Sequence, residues 1–245
     1  LEGVAIPGRL RDALLDLLFP PRCGSCNRPG AWLCADCLAG IDWIRPPLCG
    51  HCGEPIAGGS RCPRRWQHPA LLDGLRSAAW HAGPLRAAIY RYKYRGRRVL
   101  AGPLGAVLAQ VWRRDPPPVD LLLPVPLHAR RLRERGFNQA TLLARELSRA
   151  AGVRVEDGFL QRVRPTPPQV ELNAAERPAN VEGAFAYTGP PLHGHAVCLI
   201  DDICTTGATL QACAAALREA GADSIWGYTL ARPHWEASLR PGAGG

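Results

Sequence analysis

The sequence predicts an α/β fold, a parallel β-sheet flanked by helices, with a small cysteine-rich segment at its N-terminal end. Three observations predict it. Val197-Cys198-Leu199-Ile200 is an apolar run of strand length, followed by a loop of small residues and a helix-like stretch from Leu210 to Ala220. Leu121 to Val125 repeats the pattern upstream, with a polar loop and a second helical stretch from Ala140 to Ala150. The cysteines come mostly as C-x-x-C pairs, gathered near the start of the chain. We therefore divide the chain into a cysteine segment, residues 1–69, and an α/β domain, residues 70–245.

The segment opens with Leu10 to Phe19. Leu10, Leu14, Leu17 and Leu18 share one helical face, Asp12 and Asp16 interrupt the apolar run, and Pro20-Pro21 ends it. This reads as a short amphipathic helix docked on its own domain, with a partner-binding helix as the alternative, and not as a secretory signal. Cys23-x-x-Cys26 and Cys34-x-x-Cys37 follow. Each pair can form a tight knuckle, and two knuckles complete a tetrahedral shell of four thiolates suited to structural zinc. In a module this small, a metal supplies about 10–16 kcal/mol of apparent folding free energy. A second set, Cys49, Cys52 and Cys62, lacks its fourth thiolate, because Arg65 stands where it is expected. Two readings stay open: a degenerate ribbon without metal, or three thiolates completed by His51 or His68. Cysteine pairs of this kind fit a reducing cytoplasm better than disulfides.

In the second domain Leu75 to Trp80 reads as a strand, and Gly83 to Tyr94 and Val99 to Trp112 as helices. At the helix junction lies Tyr90-Arg91-Tyr92-Lys93-Tyr94-Arg95-Gly96-Arg97-Arg98. Basic residues interleaved with tyrosines can stack bases and neutralise phosphates. We favour the plainer reading, a helix end whose tyrosines pack inward. Lys93 is the sole lysine in a chain with a formal charge of +9. A compact ammonium kept where arginine is otherwise used points to a phosphate contact. After Leu121 to Val125 comes an arginine-rich loop containing Arg131, Arg133 and Arg135, placed to meet a multiply charged group at the carboxyl end of a parallel strand. The proline-rich stretch Thr166 to Phe185, with Gln169, Arg177 and Asn180, reads as a mobile functional flap or an inert surface excursion. Ser224 to Leu230 is a further strand, and Pro241 to Gly245 should be poorly ordered. No run of about twenty apolar residues exists, so no membrane insertion is expected.

The most informative stretch is Asp201-Asp202-Ile203-Cys204-Thr205-Thr206-Gly207-Ala208-Thr209. Gly207 lets the backbone approach an anion, amides at the helix start point toward it, and three threonines add hydroxyl donors. Asp201 and Asp202 can accept from the vicinal hydroxyls of a sugar whose phosphate fills the loop. This resembles the phosphoribosyl pyrophosphate (PRPP) signature of type I phosphoribosyltransferases, with Cys204 as a small departure. The resemblance implies that Thr205, Thr206, Gly207, Ala208 and Thr209 hold the 5-phosphate and that Asp201 and Asp202 hold ribose. It also implies Mg2+ bound with PRPP, and Arg131, Arg133 or Arg135 beside the leaving pyrophosphate.

Taken in order, the Leu-Leu-Phe-Pro-Pro lead into Cys23, the C-x-x-C pairs, Lys93-Tyr94, Arg135-Gly136-Phe137-Asn138-Gln139, the Thr166/Gln169/Arg177/Asn180 spacing and Asp201-Asp202 resemble the ComF family (ComFC or GntX-like proteins) over nearly the whole chain. That resemblance implies a double zinc ribbon joined to a type I phosphoribosyltransferase-like domain. It further implies cytoplasmic work in natural transformation, handling single-stranded DNA beside a ComFA-like helicase. Two rivals remain: an active phosphoribosyltransferase in nucleotide salvage, and a zinc-ribbon DNA-binding module with a vestigial pocket.

Overall fold

A computed structural model describes residues 20–56, 62, 71–164 and 183–234. The leading helix, Arg65, His68, the flap residues Gln169, Arg177 and Asn180, and the C-terminal tail lie outside the described residues. The α/β domain is built on β1 (Gly74–Trp80), β2 (Leu121–Pro124), β3 (Arg154–Val155), β6 (Ala196–Ile203) and β7 (Ser224–Arg232). All are parallel, in the order β1-β7-β6-β2-β3, so β6 is central. A separate antiparallel pair, β4 (Leu160–Arg162) with β5 (Phe185–Tyr187), stands beside the sheet. Strands β3, β4 and β5 are each too short to show a period and were not expected.

Helices cover both faces because β6 is apolar on both. Val197 and Leu199 pack into one core with Leu210, Ala214 and Leu217 of α6 (Ala208–Glu219) and with the β4–β5 pair. Cys198 and Ile200 point the other way. They meet α2 (Gly83–Tyr94), α3 (Ala101–Trp112) and α5 (Gln139–Ala151). All four strand residues are fully buried, as a two-sided parallel strand requires.

The cysteine segment, which carries the short helix α1 (Ala35–Ala39), is hydrogen-bonded to the sheet. Ile44 N–H donates to Ala78 O at 3.1 Å and Trp80 N–H to Asp42 O at 2.8 Å, so a short antiparallel bridge at Trp43 lies along β1. Leu75 N–H donates to His51 O at 2.6 Å. Arg232, buried at the end of β7, donates to Cys52 O at 2.7 Å and pairs with buried Glu54 at 3.3 Å. Gly24 of the first knuckle sits so close to Leu100 that a Cβ would fall 2.5 Å from Leu100 Cδ2.

The packing of α3 on α5 depends on a missing side chain. A Cβ at Gly105 would lie 2.3 Å from Glu146 Cβ, whereas one at Gly102 would meet nothing within 4 Å. We predict that Gly105→Ala lowers unfolding free energy by about 1–3 kcal/mol. Gly102→Ala, on the same helix, should raise it by about 0.4–1 kcal/mol by restricting the unfolded chain. Chemical denaturation of both variants checks the pair.

Candidate functional site

The site lies at the carboxyl ends of the central strands, where an open parallel sheet takes its ligands. The strand that builds it is longer than its sequence indicated. β6 does not stop at Ile200; it continues through both acids to Ile203, with Asp201 opposite Thr229 and Ile203 opposite Ala231 of β7. Backbone pairing with β7 outweighs the low strand preference of aspartate.

Because successive side chains in a strand point to opposite faces, the acidic pair is split. Asp201 follows Val197 and Leu199 toward the α6 side and walls a small notch with Ile203, Thr205, Gly207, Ala208 and Thr209. Gly207 has φ +81°, a left-handed conformation that turns the chain from strand into α6. Thr206 Oγ1 accepts from Ala208 N–H at 3.4 Å, while the amides of the first helical turn face the notch end of α6.

Asp202 follows Cys198 and Ile200 toward α2. There Lys93 Nζ meets Asp202 Oδ1 at 2.7 Å, with both side chains largely buried. The sole lysine therefore enters the site, but its partner is a carboxylate and not the phosphate loop. Asp201 accepts from Asp202 N–H at 2.8 Å. Burial, and then the Asp202 charge beside it, push the Asp201 carboxyl up to about 7, against the opposing pull of Lys93 and Arg135. His81, at the end of β1, is held down to about 4 by burial and by the cations Lys93 and Arg86. Sequence reading missed His81, since a lone histidine after a weak strand carries no pattern. Arg162 on β4 was missed too; it feels the charges of Arg131 and Asp201.

The arginine-rich stretch is a helix and not a loop. Residues Ala129–Arg135 form α4, capped by His128 Nδ1 accepting from Arg130 N–H at 3.3 Å and closed by Gly136 at φ +73°. That winding disperses the three arginines. Arg133 is exposed, Arg131 is half-buried near Arg162, and Arg135 lies within electrostatic range of Asp201. Arg135 is held by Gln139 Oε1 at 2.9 Å and by the ring of Tyr94 at 5.1 Å. The Arg-Gly-Phe-Asn-Gln block explains itself here. Asn138 caps α5 through Ala140 N–H at 3.1 Å and donates to Val125 O at 3.0 Å, tying helix to strand end. Phe137 is buried on Tyr92, whose hydroxyl donates to Gln139 O at 3.0 Å. A cleft of about 570 Å³ opens between α4, α5 and β4, lined by Leu132, Phe137, Thr141, Leu160 and Arg162.

In the cysteine segment the ligand atoms of Cys23, Cys26, Cys34 and Cys37 lie within 4.8 Å of one another. This all-sulfur set fits zinc. Ser25 and Cys34 N–H groups each donate to Cys23 Sγ at 3.4 Å. Burial raises the Cys23 thiol, but these amides and that of Cys26 overcome it and bring the thiol down to about 6, which favours the ligating thiolate. Cys49, Cys52 and Cys62 also converge within 4.8 Å, and among the described residues no fourth donor joins them, His51 included.

Comparison with known proteins agrees with this construction. Residues 14–64 match the double zinc ribbon domain family. DNA utilization protein YhgH of Salmonella typhimurium is 32% identical over 225 residues, covering 88% of this chain and 99% of the relative. Competence protein F of Haemophilus influenzae is 33% identical over 156 residues, 61% of this chain and 68% of that one. Among solved structures, glutamine PRPP amidotransferase from B. subtilis overlaps 57% of this chain and 30% of its own, at 21% identity and a TM-score of 0.40. With zinc-ribbon cysteines, an acidic strand end and relatives of this identity and coverage, the chain belongs to the ComF family.

Proposed function

We propose that this chain binds PRPP at the turn after β6 and acts in the handling of incoming single-stranded DNA. The observation that carries the reading is the anion cup at Gly207 with Asp201 on its wall, set at the carboxyl end of the central strand. The relatives' printed names, DNA utilization and competence, support the DNA part. No helix among the described residues is long and apolar enough to cross a membrane. The reading places the chain in the cytoplasm, beside a ComFA-like helicase.

In this reading the amides and hydroxyls from Thr205 to Thr209 hold the 5-phosphate, and Asp201 accepts from a ribose hydroxyl. Asp202 is proposed to hold the second hydroxyl from the α2 side of the strand end, beside Lys93. The two carboxylates are hard oxygen donors that suit Mg2+, whose chemistry is to neutralise pyrophosphate oxygens. Arg135, within electrostatic range of Asp201, supplies fixed positive charge near the leaving group, and Arg131 and Arg133 supply it from further out along α4. Lys93 holds the Asp202 carboxylate in position from α2. The 570 Å³ cleft has room for an acceptor and favours a second reading, phosphoribosyl transfer in nucleotide salvage. The flap residues Gln169, Arg177 and Asn180 are proposed to attend the same site.

Three outcomes follow. Calorimetry with PRPP and Mg2+ should show binding that Asp201→Ala with Asp202→Ala abolishes; unchanged binding removes the ribose assignment. Pyrophosphate release against a panel of bases separates the two readings, with none expected for the first. Asp201 gives a pH signature. Its folded pKa of about 7 stands above the ordinary 3.8. The folded state therefore binds the extra proton, and stability due to this group is full below the ordinary value and falls as pH rises toward about 7. Asp201→Asn should flatten the urea-midpoint-against-pH curve in that window; an unchanged slope contradicts the placement.

A further inference from the structure

Only one of the three clustered tyrosines packs inward. Tyr92 is fully buried, but Tyr90 and Tyr94 are 54% and 55% exposed. They stand four residues apart on α2, with ring centroids 5.1 Å apart and planes at 44°. Arg86, also exposed, precedes them by another turn, so Arg86, Tyr90 and Tyr94 form one stripe. Arg135 lies over the Tyr94 ring. The expectation of inward-packed tyrosines fails here because a helix has one core-facing side, and Leu85, Ala88, Ile89 and Tyr92 fill it.

Two large rings left more than half exposed, one of them beside Arg135, offer open faces to a partner. Charge says which kind. Between Asp73 and Asp115 the chain has no acidic side chain, while Arg86, Arg95 and Arg98 are exposed in the same region. A polyanion is thereby attracted, and two open aromatic faces select one whose bases are unpaired.

We propose that Arg86, Tyr90, Tyr94 and Arg135 form a stacking platform for single-stranded nucleic acid, bases on the two rings and phosphates on the guanidinium groups. The assignment deepens the DNA-handling reading and rests on it. It places the strand next to the PRPP site, since Lys93 on the same helix holds Asp202 and Arg135 acts on Asp201.

The test is fluorescence anisotropy with a labelled oligothymidylate of roughly 20 nucleotides and the full chain. Tyr90→Ala with Tyr94→Ala should weaken binding roughly tenfold or more, and the double Phe variant should retain it. The Ala pair should leave the salt slope of binding unchanged, whereas Arg86→Gln should reduce it by about one unit. Equal affinity of wild type and the Ala pair overturns the platform. So does equal affinity for a duplex, whose bases offer no free face, or equal displacement by polyglutamate. Tighter binding of oligouridylate than oligothymidylate would assign RNA as the strand and support the platform. Calorimetry with PRPP runs alongside: PRPP binding without oligonucleotide binding overturns the platform alone, and the converse overturns the PRPP reading alone.

Discussion

Everything in this molecule is subordinate to the two-residue alternation of β6. One strand, buried on both faces, supplies side chains in turn to two separate cores. The helices are recruited to cover those cores, and their termini then ring the strand's far end. The same alternation runs on past the apolar residues into the acids. It cannot deliver two neighbouring carboxylates to one face, so it delivers one to the notch before α6 and one to α2.

That division sets the electrostatics. Removing two adjacent carboxylates from water is unfavourable unless something offsets their repulsion. Lys93 offsets one, and the other is left with a weakened hold on its negative charge. An ammonium thus occupies one acid, while burial and its neighbour's charge raise the pKa of the other. The lone lysine of an arginine-rich chain is thus a matter of shape as much as charge: a compact head reaches a buried carboxylate that a planar guanidinium would crowd.

Much of this was legible in the sequence, for identifiable reasons. Val197 to Ile200 and Leu121 to Leu123 are buried on both sides, so continuous apolar runs reported them directly. Gly207 and its threonines reported a turn that few other chemistries require. The four cysteines of the first two knuckles declared themselves by spacing. What stayed hidden depended on partners distant in sequence. The extension of β6 through Asp201 and Asp202 rests on pairing with β7, and no local preference announces it. The winding of Ala129–Arg135 depends on a cap at His128 and a left-handed Gly136, signals that the density of arginines obscured. The outward turn of Tyr90 and Tyr94 needed the helix phase, which only the burial of Leu85, Ile89 and Tyr92 fixes.

The backbone bridge at Trp43 carries one more implication. β1 is an outermost strand of the five, and Asp42 to Ile44 occupy part of its open side. Stripping the metal from the knuckles would loosen that cover and leave β1 with unpaired amides and carbonyls, a template on which another molecule's strand can add. Zinc depletion would then appear first as self-association of an otherwise folded sheet, and only later as unfolding. The ribbon is in this sense a cover for the open edge of the sheet.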